Sequence, residues 1–410
     1  MIINYYFVFM ISQTPSEDKI NYPRLLKYLL YGFILLAIAI SVQKLFQGER
    51  SFWGHTQSHY NNYVIFKTSF KHLVEQVNLY DLYEKEYGDF YKYSPTFAVF
   101  MAPFYFMPDW MGLIVWNLLN CLLLFYGITK IPQLADKTKV FILSFSLIEL
   151  VTSMQNQQSN ALIAGFLLLA FVCFEKDRIP LAALLIMLCF FIKLTGILAC
   201  VLFLFYDKKW KFILWSAFWF LILATLPLLF TTFQNLSVQY QNWWKLIVDD
   251  HTQSYGISIF GVIHSWFAIE PSKLVILSFG LILLLLPLVK VDRFKEFKFR
   301  LLYICSLLIW IVIFNHKAES SSYIVAIVGC ALWYFTSEKS RLNSILIVLA
   351  FILISLSPTD LFPKSLREGF IVPFVLKALP AVLIWLRIFG ELISEKKNPT
   401  PVNVNLKLVD

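Results

Sequence analysis

Charge is scarce in this chain. Of its 410 residues only 15% are Asp, Glu, Lys or Arg, where a soluble domain carries about a quarter. So few charges cannot cover the surface of a water-facing protein of this length. Cysteine is sparse as well. Cys121, Cys173, Cys189, Cys200, Cys305 and Cys330 all lie in apolar segments without paired ligand spacing, which argues against a disulfide framework or a metal site and leaves small packing residues. The chain has no glycine-rich phosphate loop, no low-complexity tract and no internal repeat. Its two halves do not resemble each other, which argues against a transporter built from repeats. The first twelve residues are apolar but lead into Pro15, Ser16, Glu17 and Asp18. They therefore read as a tail and not as a signal peptide.

What is present is hydrophobic. Apolar residues make up 59% of the chain, with 40 Phe, 20 Tyr and 12 Trp, and the mean hydropathy is +0.67. Tyr and Trp favour the headgroup layer of a bilayer. A spanning helix needs about 20 mostly apolar residues, and runs at 25–46, 110–129, 212–230, 272–290 and 371–391 qualify. Shorter runs lie at 94–108, 139–155, 160–174, 300–314, 322–336 and 342–357. Segment 180–206 is long and polar at its middle, with Lys193, Thr195 and Gly196, and reads as one tilted crossing or as two half-helices meeting at a break. The sequence thus predicts an all-α integral membrane protein, a single bundle over 25–391 of about twelve crossings. Residues 1–24 and 392–410 are then cytoplasmic tails.

The net charge of +9 is spread over short clusters between apolar runs, which marks cytoplasmic loops. No contiguous basic surface is available for nucleic acid. Loops 207–211, 291–299 and 337–341 then fall inside, and loops 47–93, 231–271, 315–321 and 358–370 outside. On this count Lys130, Lys137 and Lys139 land outside against the rule, as do Lys176 and Arg178; splitting 180–206 moves the latter cluster inside. In the first outer loop, Tyr63, Phe66, Phe70, Leu73 and Val77 are spaced like one face of a helix lying on the membrane or the bundle. Loop 231–271 is similar, with Trp243, Trp244, Asp249, Asp250, His251 and Trp266.

Ions at membrane depth cost about 2.5–3.5 kcal/mol unless they meet a partner or water. Glu149 and Lys193 are the clearest cases, either paired with each other or, for Lys193, facing an aqueous pocket and an anionic group such as a lipid phosphate. Lys377 is near enough to an end to snorkel. Asn315, His316, Lys317, Glu319 and Ser320 form a tight polar loop in which Lys317 and a protonated His316 meet an anion, oriented by Glu319, unless the loop is a plain solvated turn. Gln155 to Asn160 supply amides for sugar hydroxyls or for an interhelical bond. The first outer loop holds His55, His59, Asn61, Asn62, Lys92, Tyr93 and the carboxylates Glu49, Glu75, Asp81, Glu84, Glu86 and Asp89. A hydroxyl attacking an activated sugar needs a base of this kind.

NNYVIFKTSFKHLVEQVNLYDLY (61–83), YKYSPTFAVFMAPFYFMP (91–108), QQSN (157–160), Lys193 after small apolar residues and HTQSYGISIFGVIHSW (251–266) together resemble glycosyltransferase family 87. Their order and spacing carry the resemblance, from about residue 25 to 340. It implies a GT-C fold in the cytoplasmic membrane with an extracytoplasmic site. It also implies transfer of a mannose-like hexose or a pentose from a polyprenyl-phosphate carrier to a glycolipid or glycan, with inversion and without nucleotide sugar or metal. Lys193, His316 and Lys317 would then hold the donor phosphate. His59, Asn61 and Asn62 would stand near the acceptor, and Tyr93, Gln158, Asn160 and Glu319 would bind substrate. Two positions depart from the pattern. The family's acidic base matches Asn61 or Asn62 here, so the role passes to His59 or to a carboxylate such as Asp81 or Asp89, or the reaction is lost. The Gly of the family's G-Q-x-N is Gln157. A lipid-linked-sugar flippase and an inactive glycolipid-binding homologue are the alternatives.

Overall fold

The structure, a computed structural model, describes residues 20–52, 55–249 and 255–394. Most of both expected tails (1–19 and 395–410), together with Asp250 and His251, lies outside the described residues. The fold is helical, apart from a two-stranded antiparallel hairpin, Glu49–Phe52 with His55–Ser58, in which Glu49 pairs with Ser58. Among the described residues, three helices are long and apolar enough to cross a membrane: Tyr22–Phe46, Asp109–Thr129 and Lys209–Leu229. Further apolar helices of 10–17 residues include Asn160–Glu175, Ile179–Ile192, Leu194–Phe205 and Lys273–Val289. Helix Phe297–Ile313 is buried along nearly its whole length, so the centre of the bundle lies there and along helix Asn160–Glu175. The chain is an all-α membrane protein, though its crossings are less uniform than twelve regular spans.

The deviations have local causes. Helix Asp136–Phe145 bends by 46° into Leu147–Gln155. At the joint, Ser146 Oγ donates to the Ile142 carbonyl at 2.9 Å, and such serine back-bonding bends helices. Residues 94–108, expected as a crossing, fold instead as two short helices, Pro95–Phe100 and Ala102–Tyr105. Pro95 and Pro103 each sit in a first turn, where a missing N–H costs nothing.

Segment 180–206 resolves as two half-helices. Ile179–Ile192 is α-helical, Lys193 is extended (φ −138°, ψ 125°), and Leu194–Phe205 is 3₁₀. The arms fold back on each other, so 176–178 and 206–208 share one end, where Lys208 pairs with Asp177 and Tyr206 donates to Glu175 at 2.5 Å. Arg300 clasps the same Glu175 through Nε (2.6 Å) and Nη2 (2.8 Å). Gly196 makes the fold-back possible: a Cβ there would stand 2.5 Å from Cys189 Cβ and 2.6 Å from its carbonyl carbon.

These two features remove the exceptions in the charge pattern. The hairpin brings Lys176 and Arg178 to the end that holds Lys208 and Arg300. Because 94–108 does not cross, helix Asp109–Thr129 starts at the loop side, where Lys67 pairs with Asp109, and carries Lys130 to the opposite end. At the loop side the long loops tie together. The Leu79 N–H donates to Gln239 Oε1 at 3.0 Å, Gln239 Nε2 to the Val77 carbonyl at 2.8 Å, and Asn242 Nδ2 to Asn78 Oδ1 at 3.0 Å. Helix Asn61–Val74 buries Tyr63, Phe66, Phe70 and Leu73 against the bundle, as its spacing predicts, while Val77 falls beyond its end and is exposed. Helix Phe233–Asp249 is amphipathic, with Trp243 buried and Trp244 exposed. All six cysteines are free, and five are buried.

Candidate active site

Beneath the tied loops lies a cavity of about 300 Å³. Its polar lining is Asn62, Asp89, Lys92, Tyr93, Gln158, Lys193, Thr195, Asn315, His316, Lys317, Glu319 and Ser322, and its apolar walls include Ile192, Leu194, Trp243, Leu246 and Ile247. Seven of the ten residues assigned to the site from the sequence, Asn62, Tyr93, Gln158, Lys193, His316, Lys317 and Glu319, converge here from stretches far apart in the chain.

Lys193 owes its position to the hairpin. At the apex its backbone leaves the helix, and Nζ donates to Asn160 Oδ1 at 2.6 Å. Asn160 in turn donates through Nδ2 to the Ser321 carbonyl at 3.0 Å, so it stands behind the cavity wall and carries Lys193. Gln158 accepts from the Tyr93 hydroxyl at 3.1 Å and donates to Glu319 Oε2 at 3.5 Å. The amides of QQSN thus join the hairpin apex to the 315–322 loop. Gln157 itself faces away, its carbonyl accepting from Trp116 Nε1 at 2.8 Å. Its φ of +49° lies in the left-handed region that favours glycine, which explains the family's Gly at this place. A non-glycine residue pays about 1–2 kcal/mol there. Gln157→Gly is therefore expected to keep full function and to melt at or above the wild-type temperature, since relief of strain offsets the lost side-chain contacts. Gln157→Val, β-branched, should melt several degrees lower, as thermal unfolding in detergent would show.

The 315–322 loop is held from behind. Gly256 (φ +58°) lies against it, where a Cβ would meet the His316 carbonyl oxygen at 2.7 Å, and the Ile257 N–H donates to the Ala318 carbonyl at 2.7 Å. Glu319 and Ser322 cap each other's backbone across one turn. Burial, helped by nearby Lys273, pushes the His316 imidazole down to about 4. His316 is therefore neutral at pH 7, against the expected imidazolium. Burial also lowers Lys317 to about 8, with the charge of Lys92 adding to the effect.

The expected acceptor residues divide. Asn62 lines the cavity and donates from Nδ2 to the Asn156 carbonyl at 2.8 Å. Asn61 is buried and turned elsewhere, bonding the Tyr87 carbonyl at 2.9 Å. His59 is not part of the lining, and its N–H reaches back to the Gly48 carbonyl at 3.3 Å. Of the loop carboxylates, Asp89 is the one in the cavity, its Oδ1 accepting the Phe90 N–H at 2.7 Å. Asp81 is exposed and takes a bond from Asn78. Glu86 is engaged by Lys71 and His72, each at 2.8 Å. Phe90 and Ser322 line the cavity with no signal in the sequence, because neither belongs to a polar cluster or a periodic face of its own.

Glu149 does not pair with Lys193. Its partner is Lys377, with Nζ 3.0 Å from Oε1. Lys377 is buried and does not snorkel, because its ammonium is held inside the bundle by Glu149 and Ser320. Among the described residues, no three His, Cys, Asp or Glu side chains group so as to hold a metal ion.

A helical membrane protein with a charged, amide-lined cavity under its loops fits a membrane glycosyltransferase. Residues 90–358 match Glycosyltransferase family 87, and the chain belongs to that family. The match covers QQSN, Lys193 and the 315–322 loop, and begins within the first outer loop, beyond Asn61 and Asn62. No curated protein matches the chain.

Proposed function

We propose that the protein transfers a mannose-like hexose or a pentose from a polyprenyl-phosphate donor to a glycolipid or glycan at the outer leaflet of the cytoplasmic membrane. Its site then faces away from the cytosol, and it needs neither nucleotide sugar nor metal. The observation that carries this reading is the convergence of Lys193, Lys317, His316, Asp89 and Glu319 on one cavity. A lipid phosphate suits a wet hollow with cations at membrane depth.

In this reading Lys193 and Lys317 neutralise the phosphate, and neutral His316 offers it a hydrogen bond. Tyr93, Gln158, Glu319 and Asn62 hold sugar hydroxyls, while Asn160 keeps Lys193 in place. Asp89 takes the proton of the acceptor hydroxyl as that oxygen attacks the anomeric carbon. The bond from that carbon to the phosphate oxygen breaks on the opposite face, and polyprenyl phosphate leaves with the electron pair. The configuration inverts. Preorganised cations lower the barrier because charge develops on the leaving oxygen.

Purified protein in proteoliposomes, given labelled polyprenyl-phosphate sugar and a membrane glycolipid extract, should yield labelled glycolipid. Movement of the labelled lipid across the bilayer without glycosidic product would replace this reading with a flippase.

The proposal also sets a pH dependence. Lys317 is charged below about 8 and neutral above it, so the KM for donor should rise as pH passes through 8. Lys317→Arg, whose guanidinium stays charged, should flatten that rise. A donor KM independent of pH between 7 and 9 in the wild type would take Lys317 out of the phosphate site.

A further inference from the structure

The buried pair of Glu149 and Lys377 plays no part in the chemistry above, yet its bonds all lead toward the cavity loop. Lys377 Nζ stands 3.0 and 3.2 Å from the two Glu149 oxygens, with 6% and 0% of the side chains exposed. The same ammonium donates to Ser320 Oγ at 2.7 Å and approaches the Ser320 carbonyl oxygen at 3.4 Å. It also lies over the Tyr323 ring, 5.0 Å from its centroid. Ser320 follows Glu319, which lines the cavity, and precedes Ser321, whose carbonyl anchors Asn160 behind Lys193. The loop that faces the ligand on one side is pinned by a lysine on the other.

Stability is a poor reason for such a pair. Desolvating two charges costs as much as their attraction returns, and apolar residues of similar volume often replace a buried ion pair without loss. No apolar pair, however, can supply a directional hydrogen bond to a loop. Fixing reactive groups to within a fraction of an ångström is worth about 10²-fold in rate.

We propose that Glu149 and Lys377 are positioning residues. Glu149 orients the ammonium, the ammonium fixes Ser320, and Ser320 sets where Glu319, Lys317 and the Asn160–Lys193 link stand. This rests on the reading of the cavity as the donor site.

The test uses the full chain in proteoliposomes. Glu149→Leu with Lys377→Met removes both charges together, while Ser320→Ala cuts the link and leaves the pair intact. For each, thermal melting, binding of sugar-free polyprenyl phosphate and the initial rate of transfer are measured. Both variants should melt like the wild type, lose about 10- to 100-fold in kcat and bind polyprenyl phosphate more weakly. Ser320→Thr, which keeps the hydroxyl, should restore most of the rate. A purely structural pair would reduce the amount of folded protein and leave kcat per folded molecule unchanged. Wild-type kcat and binding in both variants would overturn the positioning role alone. Should the joint variant not fold, Ser320→Ala against Ser320→Thr decides the matter. A wild-type protein that neither binds polyprenyl phosphate nor transfers sugar would overturn the donor-site reading and the positioning role with it.

Discussion

Lys193→Ala is expected to cut sugar transfer by about 10²- to 10³-fold, the loss typical of removing one preorganised group from a developing negative charge. Lys193 has reached the cavity at the cost of breaking a helix, and its hydrogen bond goes to a neutral amide, Asn160, at 2.6 Å. A partly buried ammonium is costly for the free protein, the Glu319 carboxylate in the same cavity offsets part of that cost, and an arriving anion compensates more of it. Its removal should therefore leave the melting temperature unchanged or raised, while the rate collapses. Lys193→Arg should recover little, since a planar fork in place of a compact ammonium would not fit the same hairpin apex. Unchanged turnover in correctly folded Lys193→Ala would remove this residue from the donor site.

Asp89→Asn should have the second large effect, a fall in kcat of about 10²- to 10⁴-fold with donor KM nearly constant. The substitution is a clean one. Asp89 Oδ1 accepts the Phe90 N–H at 2.7 Å, and an amide oxygen can accept the same bond, so the side chain keeps its place and loses only its basicity. Initial rates at saturating donor check this. A normal rate in Asp89→Asn, with loss in Asp81→Asn or His59→Ala, would pass the role of base to the residue that fails. On the proposed mechanism, a carboxylate farther along the same loop takes the acidic role that the family resemblance places at Asn61 or Asn62. Asn62 still lines the cavity, where an amide can bind a sugar hydroxyl but cannot take its proton.

The helical spacing of Tyr63, Phe66, Phe70 and Leu73 predicts a buried face, and the helix buries it. Lys193, Thr195 and Gly196 in the middle of an apolar run leave open one tilted crossing or two half-helices, and the structure has the two half-helices. Gln158, Asn315, His316, Lys317, Glu319 and Asp89 line one cavity, while Gln157, Asn160 and Ser320 lie outside its lining. Other features were hidden. Residues 94–108 have the hydropathy of a crossing, and hydropathy does not record that two prolines split them into short helices. In the sequence Gly196 is only part of a polar midpoint, whereas in the fold it lets two arms touch. Asn61 and Asn62 are adjacent and chemically identical, yet one faces the cavity and the other faces Tyr87.

By itself the sequence determined that this chain is a membrane protein, where its apolar runs lie, and that few ionisable groups fall within them. Those properties follow from composition and local period, which each residue carries with it. Only the tertiary structure decided that Glu149 pairs with Lys377 and leaves Lys193 to the cavity, and that His316 stands neutral beside Lys317. Partner choice and proton affinity depend on distance and dielectric, and these exist only once segments more than two hundred residues apart have been brought together.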